Sequence, residues 1–150
     1  MPAGLHGAGG GAGGTVDNGP VLVSILRQGP YLIASIHTAL NDSQMAQFQR
    51  DLVDQIGLCR STGIIMDVAA LDVVDSFGSR TLRDIAEMAR LRGAVAVLVG
   101  IQPDVAFAMV ELGLHTSAAH TALDLEEGLA YLGRAGSAAL SHRQIASRPQ

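Results

Sequence analysis

The run Ile64-Ile65-Met66-Asp67-Val68 is apolar at every position but Asp67. A strand with one solvated face alternates apolar and polar residues, whereas a nearly continuous run belongs to a strand covered on both faces. Covering both faces takes layers of helix, so this short stretch points to an α/β fold.

The flanking sequence supplies the other elements. Val21 to Leu26 and Tyr31 to Ile36 are β-branched, apolar runs separated by Arg27-Gln28-Gly29-Pro30, and they read as an antiparallel hairpin. Asn41, Asp42 or Ser43 offers a cap for a helix in which Met45, Phe48, Leu52 and Ile56 recur at helical spacing up to Arg60, with Gly63 expected to end it. A second helix starts at Asp75-Ser76 and runs to about Arg92, with Leu82, Ile85, Ala86 and Ala89 as its buried stripe. Val95 to Val99 is a strand, and Gly100-Ile101-Gln102-Pro103 turns into a third helix with Pro103 first, where a missing N–H costs nothing. Val105, Met109, Val110 and Leu112 supply its apolar side until Gly113. Thr121 to Leu123 reads as a short strand, and Asp124 caps a final helix through Leu132. This order predicts a mixed β-sheet opened by a hairpin, continued by right-handed crossovers and packed with about four helices.

The chain has 150 residues, 48% of them hydrophobic, enough for one domain with a real core and short for two. Residues 1–19 hold eight of the eighteen glycines and are expected to be a flexible tail, with a domain over 20–133 and a second flexible tail over 134–150. The Gly-rich stretch lacks the preceding strand and following Lys of a phosphate-binding loop. No apolar run approaches the roughly 18 residues that span a bilayer, and the first twenty residues lack the basic start and apolar centre of a secretory signal. A cytoplasmic protein without membrane contact is therefore expected. Cys59 is the sole cysteine, which excludes an intramolecular disulfide and suits a small apolar filler.

All ten basic residues are Arg. The missing Lys removes Walker-type phosphate loops, protein kinase activity and Schiff-base chemistry. A formal net charge of −4 also lacks the basic field that binds a phosphate backbone, so nucleic acid is not an expected partner.

The segment Leu71-Asp72-Val73-Val74-Asp75-Ser76-Phe77-Gly78-Ser79-Arg80 carries the candidate chemistry. It places Ser76 at a helix start, where unsatisfied N–H groups and the positive dipole end lower the electrostatic cost of a phosphoryl group. A phosphoserine brings about −1.5 to −2 charges, enough to remake a binding surface. Asp75 and Ser76 also suit plain helix capping. The segment does not spell the Gly-x-Ser-x-Gly nucleophile elbow, and none of His6, His37, His115, His120 and His142 stands at an evident triad position, so a hydrolase is not expected. His115 and His120 have no third ligand at metal spacing and read as surface histidines; neither a metal nor a cofactor is expected. Asp67 ends a central strand, the place of a receiver phosphoaspartate, but the Lys of that chemistry is missing. Arg80 with Asp84, Arg83 with Glu87, and Glu87 with Arg90 read as pairs on a solvated helix face, worth about 0.2 to 0.5 kcal/mol each.

From about Pro20 to Leu132 the sequence resembles a STAS domain (sulphate transporter and anti-sigma factor antagonist), and within that family the small stressosome antagonists of the RsbS type. The resemblance is carried by Asp67-Val68, Val74-Asp75-Ser76-Phe77, Gly93-Ala94, Gly100-Ile101-Gln102-Pro103 with Val105-Ala106, Glu111-Leu112-Gly113, and Thr121-Ala122-Leu123-Asp124-Leu125-Glu126. It implies a non-catalytic regulatory scaffold that sequesters a switch serine/threonine kinase and releases it once Ser76 is phosphorylated. Asp75, Phe77, Gly78 and Arg80 are the implied partner-binding residues. The implied partners are that kinase, paralogous STAS proteins with sensory amino-terminal modules, a phosphatase that resets the system, and further copies of the chain. Gly78 gives the spelling Asp-Ser-x-Gly, which suits a second reading, a stand-alone antagonist that binds an anti-sigma kinase directly. Phosphate on Ser76 has two possible consequences: repulsion of an acidic partner surface alongside Asp72 and Asp75, or attraction back onto the helix by Arg80.

Overall fold

The structure, a computed structural model, describes residues 21–112 and 118–147. The expected tail over 1–19, Gly113 and His115 lie outside them. Strands β1 (Val23–Gln28), β2 (Tyr31–Ile36), β3 (Gly63–Asp67), β4 (Val95–Val99) and β5 (Ala119–Ala122) form one sheet in the order β1-β2-β3-β4-β5. The first pair is antiparallel and the others are parallel. Gln28 faces Tyr31, leaving Gly29-Pro30 as a two-residue turn in which Gly29 takes a φ of 60°. Helices α1 (Asp42–Cys59), α2 (Ser76–Leu91) and α3 (Pro103–Glu111) make the three crossovers, and α4 (Leu125–Ser147) closes the chain. The mixed α/β sheet with four helices is the expected architecture.

Period-two alternation inside β3 explains the two layers. Ile64 and Met66 face a core with Met45, Phe48, Leu52 and Ile56 of α1, Leu82, Ile85, Ala86 and Ala89 of α2, and Val105 and Met109 of α3. Ile65 points the other way, into a second core with Ile33, Val97, Val99 and Leu132 of α4. Each such fully buried aliphatic side chain contributes about 1.5 to 3 kcal/mol relative to exposure. Gly63 lets α4 dock closely, because a Cβ there would lie 2.8 Å from Leu132 Cδ2.

Several boundaries differ from expectation. α1 begins with a capping box in which Asn41 and Gln44 satisfy each other's backbone N–H at 2.8 and 2.9 Å. It ends not at Gly63 but at Arg60, which adopts the left-handed conformation (φ 51°), while Gly63 opens β3. Val110 is 76% exposed and Leu112 is exposed too, because the short α3 presents to the sheet only the stripe of Val105 and Met109. β5 lies earlier than Thr121 to Leu123, since it pairs Ala119 to Ala122 against Ala96 to Val99. Asp124 does cap the last helix, accepting the Glu127 N–H at 2.9 Å. That helix does not stop at Leu132; it runs to Ser147, so most of the segment expected to fray from Arg134 is helical. Ala135, Ala138, Ala139 and Leu140 are strong helix formers, and no Pro intervenes before Pro149.

Candidate phosphoacceptor site

The connection from β3 to α2 leaves the carboxyl end of a central strand, where α/β sheets gather their functional groups. Asp75 is the N-cap of α2: its backbone is extended (φ −85°, ψ −178°), its Oδ1 accepts the Gly78 N–H at 2.7 Å, and its carbonyl accepts the Ser79 N–H at 2.9 Å. Ser76 is thus the first helical residue. Capping belongs to Asp75 alone, and the Ser76 hydroxyl has no hydrogen-bond partner among the described residues. Gly78 is buried, and a Cβ on it would stand 3.2 Å from both Asp75 Oδ1 and Val74 Cγ1. The glycine therefore gives the capping carboxylate room to close on the helix.

Three hydroxyls share the first turns of α2, and packing separates them. Ser79 is fully buried with its Oγ unpartnered among the described residues, and Thr81 is 5% exposed with its Oγ1 donating to the Phe77 carbonyl at 2.9 Å. Ser76 is only half-buried. Phe77 is half-buried against the α1–α2 core, whereas Asp75 and Arg80 are exposed. Asp72 is exposed as well. The predicted cluster of Asp75, Ser76, Phe77 and Arg80 is thus brought to one corner, with Gly78 beneath it. Val73, 71% exposed, borders a cleft of ≈ 160 Å³ beside the cap.

Of the three ion pairs expected on α2, Glu87–Arg90 forms and the other two do not. Among the described residues the pairs are Arg83–Asp84 at 3.4 Å and Arg90–Glu87 at 2.8 Å; Arg80–Asp84 and Arg83–Glu87 do not form. Arg83 turns to its sequence neighbour, which leaves Arg80 without a carboxylate within ion-pair distance among the described residues.

Further contacts are not legible in the motifs. Asp67 Oδ1 accepts the Ala69 N–H at 3.0 Å, a turn contact rather than a phosphoacceptor's setting. Gln102 Nε2 donates to the Ala69 carbonyl at 2.7 Å, joining the β4–α3 turn to the connection that leads to Ser76. The only sequence signal for this link is the Gly-Ile-Gln-Pro turn itself. Among the histidines, His37 Nε2 bonds to Ser24 Oγ at 3.0 Å and His120 stacks on Tyr131 at 3.7 Å. Cys59 is half-buried against the larger core, its Sγ 3.6 Å from Gln55 Oε1. No helix among the described residues is long and apolar enough to cross a membrane.

Residues 23–128 match the STAS domain family. The chain belongs to the STAS family. Its fold is similar to that of a serine-to-glutamate variant of RsbS from Moorella thermoacetica, at 36% identity and a TM-score of 0.70, covering 78% of this chain and 99% of that one. It is also similar to a chain of the stressosome, described as a signal integration and transduction hub, at 33% identity and a TM-score of 0.64, covering 75% of this chain and 98% of that one. In sequence it is 27% identical over 90 residues to the RsbT co-antagonist protein RsbRA of Bacillus subtilis (strain 168), which is 60% of this chain and 33% of RsbRA. The chain thus spans about a third of that relative. The anti-sigma factor antagonist SpoIIAA, at 13% identity and a TM-score of 0.58, shares the fold. The STAS match takes in all five strands, the whole Ser76 corner and the first residues of α4.

Proposed function

We propose that this STAS protein is a non-catalytic regulatory scaffold of a stress-signalling complex, an antagonist that holds a switch serine/threonine kinase and releases it when Ser76 is phosphorylated. The observation that carries this reading is the sorting of hydroxyls at the head of α2: Ser76 is half-buried, while Ser79 and Thr81 are buried. The similarity to RsbS supports it, since this chain covers 99% of that structure. A phosphate on Ser76 sits at the positive end of a 16-residue helix and adds charge beside the exposed Asp72 and Asp75. Arg80, one turn along and not engaged by a described carboxylate, draws that phosphate toward the helix. An acidic kinase surface is then repelled by the remaining charge.

In this reading the domain over 20–133 assembles in the cytoplasm with further copies and with paralogous STAS proteins carrying sensory modules, and a phosphatase restores Ser76. The alternative, a stand-alone antagonist of an anti-sigma kinase, rests on the Asp-Ser-x-Gly spelling. Gly78 has a local reason instead, the close approach of Asp75 Oδ1 and Val74. Phosphosite mapping by mass spectrometry after treatment with the cognate kinase tests the reading: phosphate on Ser76 supports it, and phosphate elsewhere in the turn refutes it. Size-exclusion chromatography with a co-expressed sensory paralogue should give a particle far larger than a dimer; a monomer or dimer overturns the scaffold role.

A further inference from the structure

Ala69 is an exposed residue on the connection between β3 and α2, yet it is held from three sides. Its N–H donates to Asp67 Oδ1 at 3.0 Å, and its carbonyl accepts from Gln102 Nε2 at 2.7 Å. Gly100, at a φ of 79°, approaches so closely that a Cβ on it would lie 2.7 Å from Ala69 Cβ. Gln102 is 33 residues away in the chain and occupies the N-cap of α3, where its side chain makes no cap hydrogen bond. A capping side chain ordinarily accepts a local N–H. Here the amide reaches across to another connection, although exposed backbone is normally satisfied by water. A few residues later the clamped segment becomes the Asp75 cap and then Ser76.

We propose that Asp67, Gly100 and Gln102 form a clamp that holds the β3–α2 connection in the shape that presents Ser76 to the kinase, with Asp67 and Gln102 as positioning residues. This rests on the reading of Ser76 as a phosphoacceptor. A loosened connection samples several shapes, and a kinase that binds one of them sees its apparent affinity fall by the fraction populated. The rate inside the bound complex is then unchanged. Global unfolding lowers the competent fraction in the same way, so protection of β3 and β4 in amide exchange is what separates a loosened connection from a destabilised fold.

The experiment measures Ser76 phosphorylation by the cognate switch kinase, followed by mass spectrometry, together with amide hydrogen exchange on the full chain. Gln102→Ala should raise KM about three- to tenfold, as loss of one hydrogen bond permits, with kcat unchanged. Exchange across residues 69–75 should accelerate while β3 and β4 keep their protection. Gln102→Glu, nearly isosteric but without a donor, should behave likewise and guards against a packing defect. Asp67→Asn keeps an oxygen for the Ala69 N–H and should retain the wild-type KM, whereas Asp67→Leu should match Gln102→Ala. Unchanged exchange in both Gln102 variants, or faster exchange with unchanged KM, overturns the clamp. If the wild-type chain takes no phosphate on Ser76, the phosphoacceptor reading falls with it; if it does and Gln102→Ala is indifferent, only the clamp falls.

Discussion

Asp75 Oδ1 lies 2.7 Å from the Gly78 nitrogen, and this bond, not one from Ser76, closes the first turn of α2. Two adjacent residues therefore divide two tasks. Asp75 satisfies an orphan helix donor, and the Ser76 hydroxyl makes no hydrogen bond among the described residues.

That division predicts a ranking. Asp75→Ala should cost about 0.5 to 2 kcal/mol, the usual loss of an N-cap, and Ser76→Ala should stay within about 0.5 kcal/mol. Urea unfolding of the two variants measures both. Phosphate incorporation should vanish in Ser76→Ala while its unfolding curve stays in place. A larger loss for Ser76→Ala than for Asp75→Ala would contradict the assignment of the cap.

Ser79 should behave in the opposite sense. Its hydroxyl is buried and unpartnered among the described residues, an arrangement that costs about 1 to 3 kcal/mol in desolvation. Ser79→Ala should raise the thermal midpoint and leave phosphate incorporation unchanged. Loss of incorporation would identify Ser79 as the acceptor and sink the proposed function.

Gly100→Ala combines a left-handed backbone with contacts of 2.7 to 3.2 Å on Ala69. Strain of this kind costs about 1 to 3 kcal/mol. Guanidinium unfolding should show that loss, with altered amide shifts in residues 69–75. A neutral Gly100→Ala would mean that the two turns separate at little cost.

Leu132 is 2% exposed and fills the space above Gly63. Leu132→Ala should cost about 2 to 5 kcal/mol, as core truncations do. Amide exchange should then rise first in α4, because the α1–α2 side of the sheet keeps its own core.

Charge on Ser76 should couple to Arg80. A double-mutant cycle with Ser76→Glu and Arg80→Ala should return about 0.2 to 0.5 kcal/mol, the range of helical pairs four residues apart. Zero coupling in low salt would show that Arg80 does not draw the phosphate in.

Periodicity made the four buried residues of α1 and the stripe of α2 legible, because a helix buries the same face wherever it packs. The turn at Gly29-Pro30 and the Pro103 helix start were legible for the same local reason. Val110 and Leu112 were misplaced because an apolar residue on a short helix is buried only if the sheet extends beneath it. Arg60 displaced Gly63 as the stop signal because a non-glycine residue took the left-handed cap, while Gly63 was needed where Leu132 presses on β3.

By itself the sequence determined the alternation of strand and helix, the two-faced burial of β3 and the placement of Asp75-Ser76 at a strand-to-helix corner. These depend on side-chain periods and on capping chemistry, which act over a few residues. Only the tertiary structure decided how deeply each hydroxyl of that corner is buried and which contacts hold the approach to it. Ser76, Ser79 and Thr81 lie within six residues, and only packing against the rest of the molecule distinguishes a half-buried position from a fully buried one. The bond from Gln102 to Ala69 exists because parallel pairing of β3 with β4 brings two turns side by side at one end of the sheet.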